Sequence, residues 1–241
     1  MNYKLTLSYE GTRYKGWQRL KNNPDTIQGK LEETLSRLCH EAIEINGSGR
    51  TDAGVHALNQ VCNFKTNFNW RLDDLKNQLN RFLPEDVSVL NAEKVDERFH
   101  ARFSAKTKTY AYRIWTAEYR PVFERRWVYA SQEGKLDVNA METAAKVLVG
   151  THDFKPFSSD RTKKSTVRTL YQIDFEETET ELVIRYTGDG FLHNMVRILT
   201  GTLIEVGQHK REAVDPESVQ DRSVLGFTAP ACGLTLESVK Y

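Results

Sequence analysis

Within the first hundred residues the spacing of apolar side chains switches repeatedly between two and three-to-four, and that order of periods restricts the fold more than any other feature. Tyr3-Lys4-Leu5-Thr6-Leu7-Ser8-Tyr9 alternates with period two, the mark of a strand with one buried face. After Pro24-Asp25-Thr26, the residues Ile27, Leu31, Leu35 and Leu38 recur at helical spacing as far as Cys39. Short strand-like runs follow at Ala42-Ile43-Glu44-Ile45 and Val61-Cys62-Asn63-Phe64. A second helix reads from about Leu72 to Phe82, stopped by Pro84, and Asp86 to Val95 is strand-like again. The order strand–helix–strand–strand–helix–strand closes most simply as an antiparallel sheet with two helices on one face.

The second half repeats this in kind. Thr107 to Trp115 is rich in β-formers. A helix is expected from about Val138 to Val149, and strands at Thr166 to Phe175 and Glu181 to Tyr186, with Glu176-Glu177-Thr178-Glu179 as the hairpin turn. A long helix is expected over Leu192 to Val206, a shorter one after Pro216, and a last strand at Gly233 to Leu236. The expectation is an α+β protein of two similar halves, residues 1–105 and 106–241. Each half would have a mixed or antiparallel sheet with helices on one face, in a pseudo-duplication of RNA-recognition-like units around a central cleft. No residue-level repeat accompanies it.

Thirty-four basic and thirty-three acidic residues nearly cancel, so a nucleic-acid partner would have to be met by segregated charge. The three cysteines, Cys39, Cys62 and Cys232, are far apart in apolar contexts and read as reduced, packed thiols. No signal-like leader or run of membrane length is present, and a cytoplasmic protein is expected.

Chemistry concentrates in Gly47-Ser48-Gly49-Arg50-Thr51-Asp52-Ala53-Gly54-Val55-His56-Ala57. Three glycines in eight residues bend the backbone or admit another molecule closely, and Asp52 and Arg50 sit two positions apart. It is neither a phosphate-binding loop nor a dinucleotide fingerprint. A plain turn with Asp52 as a local cap fits the same residues. Four clusters join it. Phe99-His100-Ala101-Arg102-Phe103-Ser104-Ala105 interleaves aromatics with cations, suited to bases and phosphates or to an amphipathic linker. In Lys106-Thr107-Lys108-Thr109-Tyr110-Ala111-Tyr112, the face bearing Lys108, Tyr110 and Tyr112 is either core or lines a cleft. Gly188-Asp189-Gly190-Phe191-Leu192-His193-Asn194-Met195-Val196-Arg197 leads into an apolar helix carrying Arg197, for which Asp52 is the expected carboxylate partner. Arg161 to Arg168 is basic and suits a solvated loop or an RNA backbone. His56, His100 and His193 lie in these clusters without a nucleophile elbow or zinc spacing.

With these residues in view, Gly49-Arg50-Thr51-Asp52-Ala53-Gly54-Val55-His56-Ala57 resembles the active-site motif of the TruA family of tRNA pseudouridine synthases. Agreeing segments follow in the family's order: Tyr9-Glu10-Gly11-Thr12 with Gly16-Trp17-Gln18, Phe99 to Ala105, Lys108 to Tyr112, Phe191 to Arg197 with Gly201, and Thr228 to Ala231 with Gly233-Leu234. The likeness spans essentially the whole chain, except that Trp115 to Lys135 matches no function. It implies isomerisation of uridine to pseudouridine at positions 38, 39 and 40 of the tRNA anticodon arm, by a homodimer without metal or organic cofactor. It also implies Asp52 as nucleophile, Tyr110 stacked on the uracil and able to take the C5 proton, and Arg197 paired with Asp52. Arg50, His56, Arg102, Lys108 and Asn194 are the RNA-binding candidates. Attack at C1′ and attack on the ring both stay open. Two other readings fit the residues: an RNA-binding protein without catalysis, and a glycosidic hydrolase needing a second carboxylate, for which Glu10 and Asp189 are the loop candidates.

Overall fold

The computed structural model describes residues 1–130, 135–160, 162 and 165–241. In chain order the elements are β1 (Asn2–Tyr9), α1 (Ile27–Cys39), β2 (Ile45–Gly47), β3 (His56–Lys65), α2 (Leu72–Phe82), β4 (Val87–Val95), β5 (Thr107–Trp115), β6 (Tyr129–Ala130), α3 (Val138–Lys146), β7 (Gly150–Asp153), β8 (Val167–Glu177), β9 (Glu181–Gly188), α4 (Met195–Gly207) and β10 (Leu234–Lys240). The class is α+β with mostly antiparallel strand pairing and, among the described residues, four α-helices. The chain forms two compact units, one of residues 1–106 with 236–241 and one of residues 107–235.

In the first unit β1 lies between β4 and β3, antiparallel to both. Tyr3, Leu5 and Leu7 are fully buried and alternate with less buried neighbours, as the period-two pattern requires. β2 runs antiparallel to β3, with Ile45 opposite Phe64 and Gly47 opposite Cys62. α1 begins at Thr26, whose side chain accepts the Gly29 N–H, and ends at His40 in the left-handed region (φ 54°). It buries Ile27, Leu31 and Leu35 completely, each contributing about 1.5–3 kcal/mol by removal from water. α2 buries only Leu75 and Leu79. Asp73 and Asp74 in its first turn and Arg81 in its last complement the helix dipole.

In the second unit β9 lies between β5 and β8, antiparallel to both, and β7 extends β8. The first strand, β5, pairs with the third long one, β9, and β9 pairs with the second, β8. In the other unit β1 pairs with β3 and β3 with β2, so the two units share one pairing scheme with helices at the same places in it. α4 is the unit's core helix: eleven of its thirteen residues are buried, all but Arg197 and Glu205.

Several elements differ from the sequence reading, β2 lying at Ile45–Gly47 rather than Ala42–Ile45 and β3 beginning already at His56. α4 starts at Met195 and not Leu192, because Asn194 takes a left-handed conformation (φ 61°) that cannot continue a helix backwards. α3 ends at Lys146, short of Val149. The chain then turns into β7 through Gly150, whose φ of 129° suits only glycine. β8 continues through Glu176 and Glu177, and the hairpin closes more tightly, with Thr178 N–H on the Glu181 carbonyl at 2.8 Å. No helix follows Pro216: Asp215 closes a turn there by accepting the Glu217 N–H on its carboxylate and the Ser218 N–H on its carbonyl. A 3₁₀ turn at Arg222–Val224 comes next.

Candidate active site

The loop from Ser48 to Val55 joins β2 to β3, and its shape is set by buried polar groups beneath it. Ser48 is fully buried. Its N–H donates to the Val61 carbonyl at 2.7 Å and its hydroxyl to Gln60 Oε1 at 2.6 Å. Gln60, also fully buried, donates from Nε2 to the Gly49 carbonyl at 3.1 Å. Thr51 Oγ1 lies 2.8 Å from the hydroxyl of Tyr9. The Val55 N–H returns to the Asp52 carbonyl at 3.1 Å, closing a turn over Ala53 and Gly54, whose φ is 81°. Asp52 is thereby presented half-exposed at the start of a tight turn, with Arg50 exposed two residues before it.

The β1–α1 connection clamps this loop from the side. Trp17 N–H donates to the Thr51 carbonyl at 3.0 Å, and Gly54 N–H donates to the Tyr14 carbonyl at 3.3 Å. A Cβ on Gly16 (φ 94°) would stand 2.7 Å from the Thr51 carbonyl oxygen, and one on Gly11 2.0 Å from that of Val55. Both glycines are therefore required by close backbone approach. Trp17 is buried with its ring against Gly47. His56 is 3% exposed, and its Nδ1 accepts the Gly11 N–H at 3.0 Å. The Tyr14 hydroxyl donates to Asp86 at 2.5 Å, beside the Arg13 guanidinium. Burial, then that hydrogen bond, push the Tyr14 phenol up to about 12.

Arg102 is exposed in a loop that buried groups tie down around it. Its backbone N–H caps His100 Nδ1 at 3.1 Å. The neighbouring Ala101 N–H donates to Asn63 Oδ1 at 2.8 Å, and the Ala101 carbonyl accepts from Tyr241 at 2.8 Å. Phe103 stands almost wholly in solvent with its ring 4.3 Å from that of His100.

In the second unit, Tyr110 and Tyr112 occupy the same face of β5. Tyr112 is core: it is fully buried, its ring lies against Gly233, and its hydroxyl donates to the Pro230 carbonyl at 2.8 Å. Tyr110 is 6% exposed, opposite Tyr186 in register, with the Phe191 ring edge-on at 5.2 Å. Lys108, two residues earlier, is half-buried. Arg197 is held from two directions. Its Nε donates to the Ala229 carbonyl at 2.6 Å and its Nη1 to Asn194 Oδ1 at 2.8 Å. Asn194 donates from Nδ2 to Ser159 Oγ at 2.9 Å. The segment supplying the Ala229 carbonyl crosses α4 so closely that a Cβ on Gly201 would stand 1.8 Å from the Phe227 carbonyl oxygen. The family-like Gly201 is thus a packing requirement for the Arg197 site.

Of the basic stretch after Ser159, Arg161, Lys163 and Lys164 lie outside the described residues. The two carboxylates weighed for hydrolysis are both engaged by the backbone: Glu10 caps a turn by accepting the Thr12 N–H, and Asp189 accepts the Thr169 N–H of β8. Among the described residues no group of three or more His, Cys, Asp or Glu side chains is placed to hold a metal ion, and no helix is long and apolar enough to cross a membrane. Spacing did not reveal Tyr9, Thr51 and Gln60 as one buried polar network. The available signal was Gln60, a polar side chain at a strand position in step with the apolar Cys62 and Phe64.

The family model described as tRNA pseudouridine synthase matches residues 6–104 and 144–241. Curated relatives match over the full chain. A tRNA pseudouridine synthase A 2 of Bacillus cereus is 48% identical, covering 100% of this chain and 99% of the relative. A tRNA pseudouridine synthase A of a Bacillus species is also 48% identical, with the same coverage of both chains. A tRNA pseudouridine synthase A 1 of Clostridium tetani is 44% identical, again covering 100% and 99%. With matches of this extent and a loop that presents an aspartate on a rigid backbone, the chain belongs to the tRNA pseudouridine synthase family, isomerases that act on tRNA.

Proposed function

We propose that this protein converts uridine to pseudouridine at positions 38, 39 and 40 of the tRNA anticodon stem-loop, with Asp52 as the nucleophile. The observation that carries this is the half-exposed Asp52 on a turn whose flanking residues Thr51, Gly54 and Val55 are fixed by hydrogen bonds. A positioned carboxylate of this kind is what covalent catalysis requires. A uridine within a stem must first leave the stack, at a cost of a few kcal/mol, to meet the side chain. The N1–C1′ bond then breaks, the base rotates, and a C5–C1′ bond forms. The C5 proton leaves to a base and N1 gains one, so no redox or hydrolytic step is needed.

In this reading Tyr110 stacks on the uracil and is the candidate acceptor of the C5 proton, while Arg197 pairs with Asp52 and keeps it ionised. Arg50 helps displace the target base. Arg102 and Lys108 contact the RNA backbone, and Asn194 serves the RNA side of the site through its hold on Arg197. His56, expected among the RNA contacts, is assigned instead to holding the loop, since it is buried and bonded to the Gly11 amide. Residues 1–105 would carry the nucleophile and residues 106–241 complete the site. The protein would work as a cytoplasmic homodimer on tRNA.

The test is nucleoside analysis of full-length tRNA incubated with purified protein and no added cofactor. Pseudouridine at positions 38 to 40 is the expected product, absent with Asp52→Ala while tRNA binding persists. Undiminished product from Asp52→Ala would overturn the assignment of the nucleophile. Binding without any product in the wild type would favour an RNA-binding protein.

A further inference from the structure

Tyr9 and Gln60 lie at the base of the catalytic loop, are almost entirely excluded from water, and take no part in the chemistry above. Gln60 is fully buried and Tyr9 is 4% exposed. Their hydrogen bonds form one connected network. Gln60 Oε1 accepts twice, from Ser48 Oγ at 2.6 Å and from the Val61 N–H at 3.2 Å. Its amide therefore points Nε2 the other way, and Nε2 donates to the Gly49 carbonyl at 3.1 Å and to Tyr9 OH at 3.4 Å. Tyr9 OH also lies 2.8 Å from Thr51 Oγ1, where either hydroxyl can be the donor. The chain of hydrogen bonds runs Ser48 to Gln60 to Tyr9 to Thr51. It fixes residues 48, 49 and 51, on the approach to Asp52.

We infer that Tyr9, Gln60 and Thr51 are positioning residues for the reaction: they hold the backbone that aims the Asp52 carboxylate. This rests on the reading of Asp52 as nucleophile. The network is cooperative, because Gln60 and Tyr9 join its other members and losing either leaves a donor or acceptor unsatisfied away from water. Trp17 and Tyr14 hold the same loop from its other side through Thr51 O and Gly54 N. Breaking the buried chain therefore loosens the aim of Asp52 without unfolding the loop. Reacting groups lose rate steeply with small displacements, roughly 100-fold for about 1 Å.

The experiment compares wild type, Asp52→Ala, Tyr9→Phe, Thr51→Val, Thr51→Ser and the double variant Tyr9→Phe/Thr51→Val. Pseudouridine formation on full-length tRNA gives kcat and KM, a binding assay gives the tRNA Kd, and thermal melts give the folded fraction. Tyr9→Phe and Thr51→Val each lower kcat about 10- to 100-fold, with KM and Kd within about twofold of wild type. The double variant is no worse than Tyr9→Phe alone, since losing the Tyr9 hydroxyl already breaks the link to Thr51. Thr51→Ser, which keeps the hydroxyl, recovers most of the rate. Wild-type kcat in Tyr9→Phe, a loss carried wholly by KM, or additive losses in the double variant each overturn the inference. Full activity in Asp52→Ala overturns the reading beneath it, and that result is independent of the network variants.

Discussion

Arg197 and Asn194, three residues apart at the start of α4, are joined by a hydrogen bond of 2.8 Å from Nη1 to Oδ1, and Asn194 in turn donates to Ser159. The asparagine is one of three non-glycine residues with positive φ among those described, and asparagine tolerates that region best after glycine. Its backbone and its amide thus aim one guanidinium. Asn194→Gly keeps the backbone and removes the clamp. The expected result is a loss of about 10- to 150-fold in kcat, since a hydrogen bond to a charged group is worth about 1.5–3 kcal/mol and each 1.36 kcal/mol is about tenfold in rate. The melting temperature should fall by no more than roughly 3–12 °C. Steady-state kinetics and a thermal melt on the same preparation check both; an unchanged kcat refutes the clamp.

Gly201 tests the other support of Arg197. An alanine there would drive its methyl to 1.8 Å from the Phe227 carbonyl oxygen, a backbone atom, so the crossing segment has to move. Overpacking of this kind costs about 1–3 kcal/mol, which lowers the melting temperature of a domain this size by roughly 2–12 °C. Because Ala229 follows closely in the displaced segment, kcat should fall as well. Gly190→Ala is the control, since its added methyl would meet Arg168 at no less than 3.6 Å. Equal melts for the two variants would remove the packing argument for Gly201.

β1 and α1 of the first unit were legible because each buries one clean face. β1 alternates Tyr3, Leu5 and Leu7 inward, and α1 carries Ile27, Leu31 and Leu35 at helical spacing. The start of α4 was not, because Leu192 continues the apolar stripe by sequence while the left-handed Asn194 breaks the helix by geometry. The Asp52 loop was visible as a motif, but what holds it was not. The contact of Tyr9 with Thr51 depends on the β1–β3 register, which shifts between Leu7 and Tyr9, and on a glutamine facing inward from β3. Register shifts leave no periodic signal. Short strands such as β6 and β7 escaped for a similar reason, being too brief for alternation to show.

His56 separates a loop-holding role from an RNA contact. Its Nδ1 is the acceptor for the buried Gly11 N–H. His56→Leu removes the acceptor and leaves that amide unsatisfied, at about 1–3 kcal/mol. The expected outcome is a melting temperature lower by roughly 2–12 °C and a reduced kcat, with the KM for tRNA unchanged. A raised KM at normal stability would return His56 to the RNA-contacting set. Kinetics measured well below the variant's melting temperature distinguish the two.

Tyr14 gives the fold a specific alkaline weakness. Burial first, and then its hydrogen bond to Asp86, raise its phenol from the ordinary 10 to about 12. A group whose folded pKa is raised keeps its full contribution below the unfolded value and loses it as pH climbs through the folded one. Stability should therefore be level through neutral pH, begin to fall near pH 10 as the unfolded chain ionises, and go on falling to about pH 12. Tyr9, Tyr112, Tyr186 and Tyr241 are raised in the same direction by burial, so the decline is shared. Tyr14→Phe removes one titrating group and leaves the others. Denaturant unfolding between pH 8 and pH 11 should show a shallower alkaline slope for the variant than for wild type, while at pH 8 the variant is less stable for want of the Asp86 bond. Parallel slopes would mean that the Tyr14 phenol ionises as readily in the folded chain as in the unfolded one.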